Sequence, residues 1–203
     1  MLDRKPVFDE VRQILGRGFA LEEVERLDAA IDRALGEAPA PPPAASHAAE
    51  LEVGPAGRVL IRKWEGCARR RPDGRFEAYP DPGSRDGRPW SIGYGATGPG
   101  IGPGTLWTRE ECEARFDRDL SRHADQVRAA IGDAPTRPHE FDALVSFHYN
   151  TGAIAHARLT RCHVAGEHAR VLDEFARWVH NDGVVLAGLQ KRRAEEARLY
   201  AGR

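Results

Sequence analysis

The chain has 203 residues, 41% of them apolar, which is room for one core-bearing domain plus an appendage. Charged residues make up 30% and nearly cancel to a net charge of -1, which counts against a nucleic-acid binder and its usual basic excess. Three cysteines, Cys67, Cys112 and Cys162, are too few and odd in number for the disulfide framework of a small secreted domain and fit a reducing compartment.

Val7, Val11, Ile14 and Leu15 recur at helical spacing, Gly16-Arg17-Gly18 interrupts, and Leu21, Val24, Leu27, Ile31 and Leu35 form a second stripe. Residues 1–38 therefore read as a helical hairpin whose sequence names no chemistry. It is a surface for self-contact, for the rest of the chain or for a partner. Residues 39–53, with Pro41-Pro42-Pro43, read as an Ala/Pro-rich linker that is partly extended. Met1 to Pro6 carries charge with no apolar run behind it, so no secretory signal is expected. No stretch approaches the ~18 apolar residues of a membrane span, so stable membrane insertion is not expected either.

A helix is expected from Ala56 to Trp64, with Val59, Leu60 and Trp64 inward and Gly66 as its stop. Phe76 to Tyr79 alternates like a strand, Asp86-Gly87 is a hairpin turn signal, and Pro89 to Tyr94 makes the returning strand. From Thr108 on, the chain reads as helical. Thr108 and Glu111 have capping-box spacing, and Cys112, Phe116, Leu120, Val127 and Ile131 share a face. Pro138 suits a first turn, ahead of Phe141, Leu144, Val145 and His148, and Asn150-Thr151-Gly152 ends that helix. Leu172, Phe175, Trp178 and Val179 mark a further helix closed by Asn181-Asp182-Gly183, and a last one runs from about Leu189 to Tyr200. The order predicts a mainly helical α+β fold with a small β-hairpin subdomain, over 54–203.

The chemistry concentrates at the first junction. Glu65 falls at the carboxyl end of a helix, where the dipole disfavours negative charge, and Trp64 beside it adds desolvation. Both push toward a protonated acid. Asp81 sits among prolines and glycine, where water keeps it ionised. Two carboxyl groups pushed apart in this way are what glycosidic hydrolysis needs. Asp86 is a rival for the second role, although Asp86-Gly87 is better explained as a turn.

Glu65-Gly66, Tyr79-Pro80-Asp81 and Ser91-Ile92-Gly93-Tyr94-Gly95, followed by Ala143 to Gly152 and Gly188 to Glu195, resemble the phage-type lysozymes, glycoside hydrolase family 24. The resemblance covers about 54–203 and implies a lysozyme-like fold. It implies Glu65 as the acid, and Asp81 as the carboxylate that positions water with help from Ser91, where Thr is usual. It makes Arg192 the acid's partner, with Arg193 as the neighbouring choice, and places Tyr94 and Asn150 in the cleft. Trp90, next to Ser91, is the best sugar-stacking candidate, ahead of Trp107 and Trp178. Glu65 and Asp81 are sixteen positions apart, wider than the family pattern, and Ala96 stands where His is frequent. A longer loop absorbs the extra length at little cost, roughly 0.6 kcal/mol per doubling.

The resemblance implies an endolysin-type muramidase that cuts the β-1,4 bond between N-acetylmuramic acid and N-acetylglucosamine in peptidoglycan with inversion. Its partner would be the glycan strand, its synthesis cytoplasmic and its action on the cell wall after release. Competing readings are a non-catalytic wall-binding or structural module of the same fold and a chitin- or chitosan-directed hydrolase. Gly93-x-Gly95-x-x-Gly98 spells a dinucleotide fingerprint, but Pro99 and Pro103 prolong a loop where that motif needs a helix. His156, His163, His168 and Cys162 cluster in sequence without a metal-ligand motif, so no metal or other cofactor is expected. His148 reads as a hydrogen-bonded core histidine.

Overall fold

The computed structural model describes Val7, Glu10, Val11, Leu27 and residues 51–80, 88–181 and 183–203. Those four amino-terminal residues are helical, and the rest of the expected hairpin and residues 39–50 of the expected linker lie outside the described residues, while Leu51 at the linker's end is buried in the core. The chain divides into two units, Met1–Ala44 and Ala45–Arg203, and every candidate site residue falls in the second.

Helix α1, Pro55–Glu65, starts on a proline at its first turn and stops at Gly66, whose φ of 64° few side chains tolerate. Its amino end is capped from a distance. The Asp142 carboxylate accepts hydrogen bonds from the Gly54 N–H (2.8 Å) and the Gly57 N–H (3.0 Å). A Cβ on Gly57 would lie 2.7 Å from Asp142 Cγ, so only glycine allows this approach. The inward face differs from the expected one. Gly57 and Ile61 are buried, whereas Val59 is 66% exposed. The close Asp142 contact rotates the helix to present Gly57 and its i+4 neighbour Ile61.

The strand expected over Phe76–Tyr79 is divided between two partners. β1, Phe76–Glu77, pairs antiparallel with β4, Leu106–Trp107, and β2, Tyr79–Pro80, pairs with β3, Trp90–Ser91. Ala78 between them donates its N–H to the Thr105 carbonyl. The returning strand ends at Ser91, because Gly93 and Gly95 take positive φ and the backbone closes on itself through the Ile92–Ala96 bridge. The expected turn at Asp86-Gly87 lies outside the described residues.

Helix α2, Arg109–Ile131, opens with the full Thr108–Glu111 capping box and buries Cys112, Phe116, Leu120, Val127 and Ile131. Helix α3, Pro138–Thr151, is buried at every position from Glu140 to His148, and Gly152 closes it in the left-handed region. A helix apolar or satisfied all round belongs in the centre. α3 packs on α1, on α2 and on the last helix, α6, Ala187–Tyr200. Two short helices, α4 (Arg158–Val164) and α5 (His168–Phe175), complete the bundle around Phe147, Leu159 and Phe175. Trp178 and Val179 fall beyond α5. Asn181 and Gly183 belong to a hairpin, β5 His180–Asn181 against β6 Val184–Val185, rather than closing a helix. Gly183, at φ 78°, serves a tight turn better than a helix stop.

Candidate active site

Glu65 is the last residue of α1, and its side chain keeps 18% exposure. Its Oε1 accepts a 2.7 Å hydrogen bond from Arg192 Nη1 of α6. Arg192 is buried, and its other two guanidinium nitrogens donate to Glu196 Oε1 (3.1 Å) and the Ser146 carbonyl (3.2 Å). Glu196 is fully buried and also accepts from Ser146 Oγ (2.8 Å) and Arg193 Nη2 (3.0 Å). Arg193 Nε lies 2.8 Å from Glu196 Oε2 as an ion pair without hydrogen-bond alignment. Burial pushes the Glu196 carboxyl above its ordinary value against the pull of Arg193 and Arg192. Arg193 also reaches Asn150 Oδ1 (3.0 Å) and covers the Phe147 ring at 5.3 Å. The two arginines thus divide the labour. Arg192 touches Glu65, and Arg193 joins Asn150 to the same buried carboxylate.

The glycine turn approaches from the β side. Gly95 is exposed at φ 79°, and a Cβ there would stand 3.3 Å from Glu65 Oε2. Tyr94 is buried, which fits the wall of the site better than free contact with a ligand. Its hydroxyl donates to Glu113 Oε1 (2.6 Å), and Arg62 pairs with the same carboxylate. Burial, with the Glu113 charge beside it, pushes the Tyr94 phenol up to about 12. The Tyr149 hydroxyl donates to the Tyr94 carbonyl (3.3 Å), so α2 and α3 both brace the turn. Ala96, where a histidine was the family pattern, is buried and holds the turn through its backbone bridge to Ile92. Ser91 lies opposite Tyr79, and Trp90 opposite Pro80, both partly exposed. Asp81 follows directly on that ladder but, like Asp86, lies outside the described residues.

Two clefts flank these elements. One of about 890 Å³ is lined by Arg88, Pro89, Trp90 and the loop Gly98–Pro103. Trp90 lines it and Glu65 does not. The second, about 410 Å³, is lined by Asn150, Thr151, Trp178, His180, Asn181, Leu186 and Leu189. The structure thus brings Glu65, Arg192, Asn150 and the Tyr94–Gly95 turn together, with Trp90 and Ser91 on the adjacent ladder.

Sequence reasoning missed Glu196, Ser146 and Glu113. Glu196 had a signal, since it lies one helical turn from Arg192 on the same face. His148 is the satisfied core histidine expected of it, facing Gln126 Oε1 at 2.8 Å. Burial raises the thiols of Cys67 and Cys112, the latter to about 12, which disfavours their thiolates.

This architecture has relatives. The phage lysozyme family model matches residues 62–196. The endolysin of Bacillus phage PZA is 32% identical over 152 residues, which cover 74% of this chain and 55% of that protein. The chain thus spans little more than half of that curated relative. Among solved structures, the muramidase domain of SpmX from Asticaccaulis excentricus aligns at 29% identity with a TM-score of 0.62, covering 74% of this chain and 98% of that one. The endolysin from Escherichia coli O157:H7 phage FAHEc1 aligns at 29% identity and a TM-score of 0.59, covering 74% and 94%. The lysozyme-like fold is therefore shared along nearly the whole of those domains, and with the family model matched across two-thirds of its length, this chain belongs to the phage lysozyme family.

Proposed function

We propose that this chain is an endolysin-type muramidase that hydrolyses the β-1,4 bond between N-acetylmuramic acid and N-acetylglucosamine in peptidoglycan. The observation that carries the reading is Glu65, partly exposed at a helix end and held by a buried arginine whose other two nitrogens are committed to the core. A general acid needs a fixed position at the scissile oxygen, and this anchoring supplies it. Glu65 protonates the leaving oxygen. Asp81 and Ser91 direct water from the opposite face, with inversion. Trp90 and Asn150 line the cleft, and Tyr94 shapes its wall. Residues 54–203 form the catalytic part, 39–53 a linker and 1–38 a helical appendage. The enzyme is made in the cytoplasm and acts on the cell wall after release, a reading supported by relatives that carry the name endolysin. Among the described residues, no helix is long and apolar enough to cross a membrane.

Clearing of purified cell walls tests the acid. Glu65→Gln keeps shape and removes the proton, so it should abolish clearing while the fold persists; a variant that lyses like the parent refutes the role. Asp81→Asn should be severe and Asp86→Asn mild, and the reverse order would move the second carboxylate to Asp86. A parent protein that pulls down with peptidoglycan but clears nothing is a binding module instead.

A further inference from the structure

Away from Glu65, four helices converge on a cluster of histidines that the reaction does not use. Glu140 (α3), His163 (α4) and His168 (α5) each offer a donor atom, and these atoms lie within 4.8 Å of one another. The Tyr200 hydroxyl, at the end of α6, stands between the two imidazoles, 2.6 Å from His163 Nδ1 and 3.0 Å from His168 Nδ1. Proton positions are set by the partners. Thr136 donates its hydroxyl to the Ala134 carbonyl (2.8 Å), so it accepts from His163 Nε2 (2.8 Å). That leaves His163 Nδ1 with its lone pair turned to the centre of the cluster. Glu140 Oε2 accepts from the Arg137 N–H (2.8 Å), which leaves Oε1 directed at His168 Nδ1, 3.5 Å away. An open cleft of about 220 Å³, lined in part by His139, Glu140, His168 and Tyr200, gives access from solvent.

We propose that Glu140, His163 and His168 form a site for a divalent transition-metal ion of the zinc class, with a water as fourth ligand. Two imidazoles and a carboxylate are the donors such an ion selects. A tetrahedron with bonds of 2.0–2.1 Å has edges of roughly 3.4 Å. The donors, up to 4.8 Å apart, must therefore close by as much as about 1.4 Å, with the half-exposed His168 exchanging its Tyr200 contact for the ion. On binding, His168 moves its proton from Nδ1 to Nε2, and His163 already presents Nδ1. The ion would tie α3, α4 and α5 together at the end of α6. Tyr200 lies eight residues beyond Arg192 on that helix, about 12 Å at 1.5 Å per residue. The site is therefore structural, a fastening for the helix that anchors Glu65, and not part of the hydrolysis.

The test uses untagged, chelator-stripped full-length protein titrated with Zn²⁺ by calorimetry, with thermal melts in parallel. One-to-one binding is expected, with a Tm rise of roughly 5–10 °C at about 100 times the dissociation constant. Glu140→Gln retains the helix cap, and His168→Asn alters a half-exposed position, so both should melt in metal-free buffer within a few degrees of the parent. Each should weaken zinc binding at least tenfold and cut the Tm rise to about half or less. Absence of stoichiometric binding by the parent overturns the proposal. So does undiminished binding in either variant, which would assign the ion to surface histidines. Because the readout is binding and melting, it stands or falls independently of lytic activity.

Discussion

Glu196→Gln removes one charge from a fully buried position and leaves its shape. In the parent, that carboxylate faces Arg192 at 3.1 Å and Arg193 at 2.8 Å, both themselves almost wholly buried. Breaking a buried ion pair from one side strands the partner charges and costs about 3–5 kcal/mol. For a chain of this size, each kcal/mol moves Tm by about 2–4 °C, so the drop should be roughly 6–20 °C. The neighbouring Glu195→Gln provides the comparison. Glu195 pairs with the exposed Lys63 at 2.7 Å, an interaction worth at most about 1 kcal/mol in water. Differential scanning calorimetry of parent and both variants at neutral pH measures the contrast. A Glu196→Gln drop under about 3 °C, or one equal to that of Glu195→Gln, refutes the view that the buried carboxylate holds the two arginines. The same variant should lose lytic activity beyond its loss of stability, because Arg192 then has Glu65 as its sole carboxylate partner and shifts toward it.

Asp142→Ala deletes the distant cap of α1 and leaves the Gly54 and Gly57 N–H groups without their acceptor, so urea unfolding should show a loss of about 1–3 kcal/mol. Gly95→Ala combines a positive φ with a Cβ 3.3 Å from Glu65 Oε2; it should cut lysis at least tenfold while lowering Tm by only a few degrees, and full activity would show that the turn does not bear on Glu65. Burial lowers His148 to about 4, below the roughly 6.5 of an unfolded imidazole. The unfolded chain therefore takes up a proton first. The His148 contribution is complete above about pH 6.5 and fades as pH falls toward 4, by on the order of 3 kcal/mol. His123 and His163 are lowered in the same direction, so the Tm of His148→Gln should decline less steeply over that window than the parent's, and parallel slopes would refute the assignment.

Local order was legible wherever one segment carries its own instruction. The capping box at Thr108, Pro138 at a first turn, Gly152 as a stop and the apolar stripe of α2 are patterns of spacing and backbone freedom, and they form as read. The order of Glu65-Gly66, Ser91 to Gly95 and the closing arginines carried the family. Other features are non-local, and no spacing within one segment encodes them. Which face of α1 turns inward depends on Asp142, 85 positions from Gly57. The strand over Phe76–Tyr79 divides because Leu106–Trp107 and Trp90–Ser91 compete for its backbone donors. The chain by itself determined where α1, α2 and α3 begin and end and which residue types stand ready for acid chemistry. The resemblance favoured Arg192 over Arg193 as the partner of Glu65, but only tertiary structure supplies the physical reason: both sit on one helix, and Glu196 and Asn150 apportion them. The same long-range packing gathers Glu140, His163, His168 and Tyr200 from four helices around one point.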